Sequence, residues 1–302
     1  MTCLACGGVL ASSSSLPKGY RVVRCAACGL RRIDPVPDAA ALADYYSRVY
    51  ALAADTARVD VSAYQAQGAE IARAFERWAP GARTVCEIGC SGGWVLKELE
   101  RRGYLVKGYE LSAATSRVAR DELGLDVVTG EFTRDGDAFD IILMRHVLEH
   151  TRDPLAQMEA AAARLTKGGT LFVAVPNAAG LSSRLLGQYW SWYIPPAHIW
   201  YFTPRSVGAL VRRAGLIQRW MKTRQGDANN PGVELGLGIL RWARRLSGGG
   251  HRQPGPAPVG EALANRGPHR GLVNAANVAL GPVSFAVSAS GLGDELWIAA
   301  AK

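Results

Sequence analysis

Four cysteines open the chain as two Cys-x-x-Cys pairs, Cys3/Cys6 and Cys25/Cys28, separated by 18 residues. Two thiolate pairs at such spacing suit a tetrahedral zinc ion. Four thiolates fill the coordination shell and leave no position for a reacting water, so the metal would be structural. Gly7 and Gly29, each directly after the second cysteine of a pair, fit tight knuckle turns. Cys86 and Cys90 stand apart and read as core or loop residues. The chain starts Met1-Thr2-Cys3-Leu4 with no charged-then-apolar leader pattern. This predicts a cytoplasmic protein, in which thiols stay reduced and serve as ligands or packing.

A second chemical signal lies in Val85-Cys86-Glu87-Ile88-Gly89-Cys90-Ser91-Gly92-Gly93-Trp94, where a short apolar run meets glycines and then a helical pattern. Glycines let the backbone turn sharply and let a ligand approach where a Cβ would clash. Amides at the start of the helix can take up a carboxylate or phosphate. About twenty residues on, Glu110 closes the next strand in Gly108-Tyr109-Glu110-Leu111-Ser112. An acid in that place reaches the two hydroxyls of an adenosine ribose.

Together with Phe139-Asp140-Ile141-Ile142-Leu143-Met144-Arg145-His146-Val147-Leu148-Glu149-His150 and Leu165-Thr166-Lys167-Gly168-Gly169-Thr170-Leu171, these motifs resemble the class I S-adenosylmethionine-dependent methyltransferases. The resemblance runs from about Thr84 to Lys222 and again from Gly291 to Lys302. It implies S-adenosylmethionine as cofactor, with Glu87, Gly89 and Gly93 in the loop beside its methionine part and Glu110 on its ribose. It also places Glu131, after Gly130, beside the adenine, with Phe132 as a stacking neighbour. Ser91 stands where the family more often has glycine, and its hydroxyl can contact the cofactor. A zinc ribbon ahead of this pattern is similar to a subset acting on nucleotide-linked or polymer sugars, and to some RNA methyltransferases.

The acceptor is less sharply marked. Tyr189 to Phe202 is rich in aromatics and follows the fifth strand, so it is expected to overhang the carboxyl edge where such sheets bind ligands. His198 is the leading base candidate, because removing a hydroxyl proton near neutral pH suits histidine. The His198-x-x-x-Phe202-x-Pro204 spacing is similar to quinone and small-molecule O-methyltransferases. Sugar C-methyltransferases carry a Tyr-x-Glu-His cluster, and here Pro195, Ala197 and His198 occupy those places, which argues against C-methylation. His146, at the end of the fourth strand, is the second catalytic candidate. Glu149 and His150 read as capping or packing residues.

These residues need a frame, and the chain alternates strands and helices after Pro80. Strands are expected at Thr84 to Ile88, Leu105 to Leu111, Asp126 to Thr129, Phe139 to Met144, Thr170 to Val175, Ile217 to Lys222 and Glu295 to Ala300. Such alternation predicts a doubly wound, mostly parallel, seven-stranded Rossmann-like α/β sheet. The expected order is a zinc ribbon over 1–33 and a helical connector or lid over 34–80. The methyltransferase domain follows over 81–302, with a helical and loop insertion at 224–293. Within that insertion Leu235 to Leu246 reads as a basic helix, Gly248 to Arg270 as a loop rich in Gly and Pro, and Val273 to Val287 as an apolar helix.

With 302 residues, 48% hydrophobic and 20% charged, the chain can bury a sizeable core and is not disordered as a whole. Its formal net charge of +9 favours acidic partners. The arginine pairs are scattered, without the stripe expected of a nucleic-acid binder. The sequence therefore points first to O-methylation of a sugar, glycan precursor or small metabolite. RNA methylation is the alternative, and a non-catalytic cofactor-binding or assembly protein the second. Peripheral membrane contact through Leu235 to Leu246 and Val273 to Val287 is a further expectation, since interfacial helices mix cations with an apolar face.

Overall fold

The run Thr84-Val85-Cys86-Glu87-Ile88 forms β4, whose last four residues are all buried. That is expected of a strand covered on both faces. The computed structural model describes residues 1–16, 19–53, 61–224 and 281–302. In chain order its strands are β1 (Leu10–Ser15), β2 (Arg21–Cys25), β3 (Arg31–Asp34), β4 (Thr84–Ile88), β5 (Leu105–Glu110), β6 (Val127–Thr129), β7 (Phe139–Arg145), β8 (Leu165–Pro176), β9 (Trp200–Tyr201), β10 (Ile217–Arg224) and β11 (Glu295–Ala301). The helices are α1 (Ala39–Ala53), α2 (Val61–Trp78), α3 (Trp94–Arg101), α4 (Ala113–Arg117), α5 (Pro154–Ala163), α6 (Leu181–Leu186), α7 (Pro204–Arg213) and α8 (Gly281–Ala289). A seven-stranded sheet has the order β10-β11-β8-β7-β4-β5-β6. Its pairs β4–β5, β4–β7, β5–β6 and β7–β8 are parallel. The expected α/β architecture is thus present.

By contact density the chain divides into two units. One gathers Tyr46–Ala174, Gly208–Met221 and Ile298–Lys302. Here α2 buries Gly68, Ile71, Ala72 and Phe75, a single helical stripe. Gly68 lets α3 come close, since a Cβ there would stand 2.7 Å from Glu98 Cβ. The Phe75 ring packs on Phe172 at 4.7 Å. At the amino ends of the strands Asp140 ties β4, β7 and β8 together. Its Oδ2 accepts from the Arg83 and Thr84 amides at 2.9 and 3.0 Å, and its Oδ1 from the Thr166 hydroxyl at 3.1 Å. The Asp140 amide donates back to Thr84 Oγ1 at 2.9 Å.

The other unit gathers Met1–Tyr45, Val175–Val207 and Lys222–Trp297. Its four-stranded sheet has the order β1-β2-β3-β9, antiparallel throughout. The fourth strand, Trp200–Tyr201, comes from the aromatic run and pairs with Arg31 and Arg32. Five of those aromatics (Trp190, Tyr193, Trp200, Tyr201 and Phe202) are buried, so they are core and not the expected overhang. Their rings pack edge to face, Trp190 on Tyr193 and Tyr193 on Tyr201. Arg31 supplies the polar contacts this core needs: it donates to Tyr193 Oη at 2.7 Å, Ser183 Oγ at 3.2 Å and the Ala178 carbonyl at 2.9 Å.

β8 begins at Leu165, five residues before the expected Thr170. Lys167-Gly168-Gly169 forms an irregularity inside the strand. Phe139 pairs with Leu165 and Ile141 with Thr170, and Gly168 takes a φ of +79° to absorb the extra residues. Residues 34–80, expected to form a helical connector or lid, hold α1 and α2. The basic helix and the Gly/Pro-rich loop expected at 235–270 lie outside the described residues. So does the surface expected to touch a membrane, apart from the segment that forms α8. Among the described residues no helix is long and apolar enough to cross a membrane.

Burial works against the charged form of Asp140, but the amides of Arg83 and Thr84 and the two threonine side chains outweigh it and hold its carboxyl below the usual range. Asp140→Ala is expected to cost roughly 1–3 kcal/mol at neutral pH. A group with a lowered native pKa stabilises above its unfolded value and loses that contribution as pH falls through the native one. Denaturant midpoints of wild type and variant should therefore converge as pH drops below about 4.

Candidate functional site

The strand order reverses between β4 and β7: the chain runs outward through β5 and β6 on one side, then returns to β7 on the other. Ligands of open α/β sheets sit at the carboxyl ends of the strands at such a switch point. Among the described residues, Ser91 and His146 are the non-glycine residues with left-handed backbone, both at φ 52°. Each lies just past the carboxyl end of one of these two strands. Backbone in this region persists only where its surroundings enforce it, and it gathers at functional sites.

The loop after β4 is closed by Glu110. Its Oε2 accepts from the Ser91 amide and its Oε1 from the Ser112 amide, both at 2.8 Å. Burial pushes the Glu110 carboxyl up, and these amides draw it back. The Leu111 amide acts on it as well, and the carboxylate keeps acceptor capacity for a ligand hydroxyl. The glycines are required by handedness and packing together. Gly89 has a φ of +70° and Gly93 of +79°. A Cβ on Gly93 would lie 2.6 Å from Leu125 Cδ1, and one on Gly89 2.7 Å from Val147 Cγ2. Gly89 and Ser91 are exposed, so this turn presents itself to a ligand.

Glu87 is completely buried. Arg145 Nε and Nη2 both donate to its Oε1, at 2.9 and 2.8 Å, while Oε2 is buried without a partner. The Arg145 Nη1 donates to Gln67 on α2. Sequence reasoning missed Arg145 and Gln67; the one available signal was a cation closing the apolar run Ile141–Met144. Gly130 stays with this edge, its amide donating to the Glu110 carbonyl at 2.9 Å. Glu131 beside it is exposed. Phe132 turns inward, with Tyr109 edge-on at 5.0 Å and the Arg164 guanidinium 4.3 Å from its ring centre.

His146 Nδ1 lies 3.1 Å from Oε1 of the buried Glu149. With Glu149 ionised, which only accepts, Nδ1 would carry the proton and the lone pair would reside on Nε2. This is the oriented-imidazole arrangement of a general base. His198 belongs to the other unit and is buried. Its Nδ1 lies 3.0 Å from the Trp192 carbonyl, which likewise fixes the proton on Nδ1, and its ring stacks on Trp192 at 5.6 Å.

The thiols of Cys3, Cys6, Cys25 and Cys28 lie within 4.8 Å of one another. Cys3–Cys28 and Cys6–Cys25 are 3.6 and 3.5 Å apart. The edge of a zinc tetrathiolate tetrahedron is about 3.8 Å for Zn–S bonds of ~2.3 Å. Both pairs sit in matching turns, with the Gly7 amide donating to the Cys3 carbonyl and the Gly29 amide to the Cys25 carbonyl, each at 2.9 Å. Burial pushes the Cys25 thiol up, but the Cys28 and Ala27 amides with the Cys6 thiol outweigh it and bring it down to about 7. Burial pushes the Cys3 and Cys28 thiols the other way, and four sulfurs this close are a donor set that can hold a soft tetrahedral cation.

Residues 61–217, more than half of the chain, match the family described as "Methyltransferase domain". The chain is 30% identical over 144 residues to a ubiquinone biosynthesis O-methyltransferase of Cereibacter sphaeroides, covering 43% of this chain and 58% of that protein. It is 32% identical over 201 residues to a ubiquinone biosynthesis O-methyltransferase of Chelativorans sp., covering 62% of this chain and 74% of that one. The chain thus spans little more than half the length of the first of these relatives. A SAM-dependent methyltransferase from Archaeoglobus fulgidus aligns in structure with a TM-score of 0.48 and 14% identity, over 79% of this chain and 94% of that one.

Ser91 holds a left-handed conformation that glycine adopts without steric cost. Ser91→Gly is expected to raise stability by about 1 kcal/mol, seen as a higher thermal midpoint of the unliganded protein.

Proposed function

Because the chain belongs to the methyltransferase-domain family, we propose that it moves the methyl group of S-adenosylmethionine to a hydroxyl of a small acceptor. The observation that carries this is the buried, partnerless Glu87 Oε2 beside a left-handed loop closed by Glu110. A buried carboxylate oxygen without a partner is costly, and the ammonium of the cofactor's methionine part would satisfy it. Glu110 offers its remaining lone pairs to the ribose hydroxyls, and the Gly89–Gly93 turn lets the backbone approach. Glu131 flanks the adenine, and Phe132 shapes that side from beneath. When bound, the cofactor supplies a methyl group activated on a sulfonium.

The chain's own part is to position the acceptor oxygen in line with that methyl and to take its proton. His146 is the base: Glu149 fixes its tautomer and stabilises the imidazolium that forms. His198 is the second candidate, on the same tautomer logic. The acceptor class, a small molecule with an acidic or activated hydroxyl, is supported by the names of the curated relatives. No described feature favours the RNA alternative. The four N-terminal cysteines hold structural zinc, with the sulfur spacing as support.

Titration calorimetry should show S-adenosylmethionine binding, and folded protein that binds none would sink the proposal. With labelled cofactor and a panel of phenolic and sugar acceptors, His146→Ala should lower kcat by about 10²–10⁴-fold and leave cofactor affinity unchanged. If His198→Ala shows that loss instead, the base assignment passes to His198. Elemental analysis should find one zinc per chain, absent from Cys28→Ser, whose thermal midpoint falls because metal binding stabilises the fold.

A further inference from the structure

We infer that Arg145 is the residue that makes Glu87 fit to bind the cofactor's ammonium group, by occupying one carboxylate oxygen and leaving the other directed to the ligand. The inference rests on the proposed cofactor site. Arg145 closes β7 and Glu87 lies near the end of its neighbour β4, where Glu87 pairs with Leu143. Both contacting nitrogens of Arg145 bind the same oxygen, Oε1, although a side-by-side fork would have spread them over two. Its third contact, from Nη1 to Gln67, fixes the guanidinium from the far side. The guanidinium therefore does not swing across to Oε2, which stays without a partner. A cationic ligand is what that oxygen lacks.

Charge leads to the same place. A carboxylate with no water around it tends to take up a proton, and a protonated Glu87 would attract an ammonium weakly. The groups that act on Glu87 are few: Arg145 from β7 favours its ionised form, and Glu110 from β5 opposes it. The neighbouring Cys86 and Cys90 thiols are pushed up by burial and stay neutral. Burial outweighs the rest and pushes the Glu87 carboxyl up, and among the described residues Arg145 is the cation that works against it. It is a positioning residue, acting on the cofactor through Glu87.

Two ligands separate this role from a general structural one. S-adenosylhomocysteine carries the amino-acid part, and 5′-methylthioadenosine lacks it. Calorimetry should show Arg145→Met weakening S-adenosylhomocysteine by roughly 10- to 100-fold, with methylthioadenosine binding within about threefold of wild type. The variant's affinity for S-adenosylhomocysteine should rise more steeply with pH than that of wild type, because without Arg145 burial pushes the Glu87 carboxyl further up. Arg145→Lys, which keeps the charge, should restore most of the loss and covers the case in which Arg145→Met fails to fold. Equal weakening of both ligands, or Arg145→Lys behaving like Arg145→Met, would overturn the inference. Failure of wild type to bind either ligand would instead overturn the underlying cofactor site.

Discussion

A strand at the centre of a parallel sheet has neighbours on both sides and cover on both faces, so its chemistry can leave only through its end. β4 is such a strand, and the fold is arranged around its exit. The exit turn has to reverse direction within a few residues and still start α3. Left-handed backbone at Gly89, Ser91 and Gly93 achieves this, and Glu110 holds the turn from the neighbouring strand. On the opposite side β7 ends in the same way, with left-handed His146. The two irregular exits face the same switch point because the strands that carry them are adjacent and parallel.

This geometry concentrates acids. Glu87, Glu110 and Glu149 are all buried, and each is held by a different kind of donor: a guanidinium, backbone amides, and an imidazole. The differences matter chemically. Amides cannot move or ionise, so Glu110 has a fixed environment. Arginine does not lose its proton, so Glu87 faces a permanent cation. Histidine does exchange protons near neutral pH, so the partner of Glu149 is the one of the three that can change its charge there.

Much of this was legible in the sequence because it depended on local rules. Short apolar stretches marked β4, β5 and β7, and the glycines and acid that follow or close β4 and β5 placed Glu87, Gly89, Gly93 and Glu110 at or near their carboxyl ends. What was not legible depended on residues far apart in sequence. Arg145 looked like the polar end of a strand, because its partners are 58 and 78 positions away. The aromatics of Tyr189 to Phe202 looked like ligand-facing rings, because their partner Arg31 lies some 160 positions earlier. The strand expected from Thr170 in fact starts at Leu165, since nothing local shows that Phe139 pairs with Leu165 and extends it. Bulges and shared cores are set by partners, and period and propensity do not report partners.

The pairing of β3 with β9 has a consequence for the order in which the protein can be made. Asp34 ends β3, but Trp200 and Tyr201, which complete its sheet, are translated some 165 residues later. At roughly 5–20 residues per second the ribosome takes on the order of 10–30 s to supply them. Through that interval the edge of β3 has no mate, and Arg31 has neither Tyr193 nor Ser183 to bind. The Cys28 carbonyl also waits for the Thr203 hydroxyl that will reach it at 2.6 Å. The segment that carries the two knuckle turns is therefore finished long after it is made, and until then its four thiols belong to an incomplete sheet.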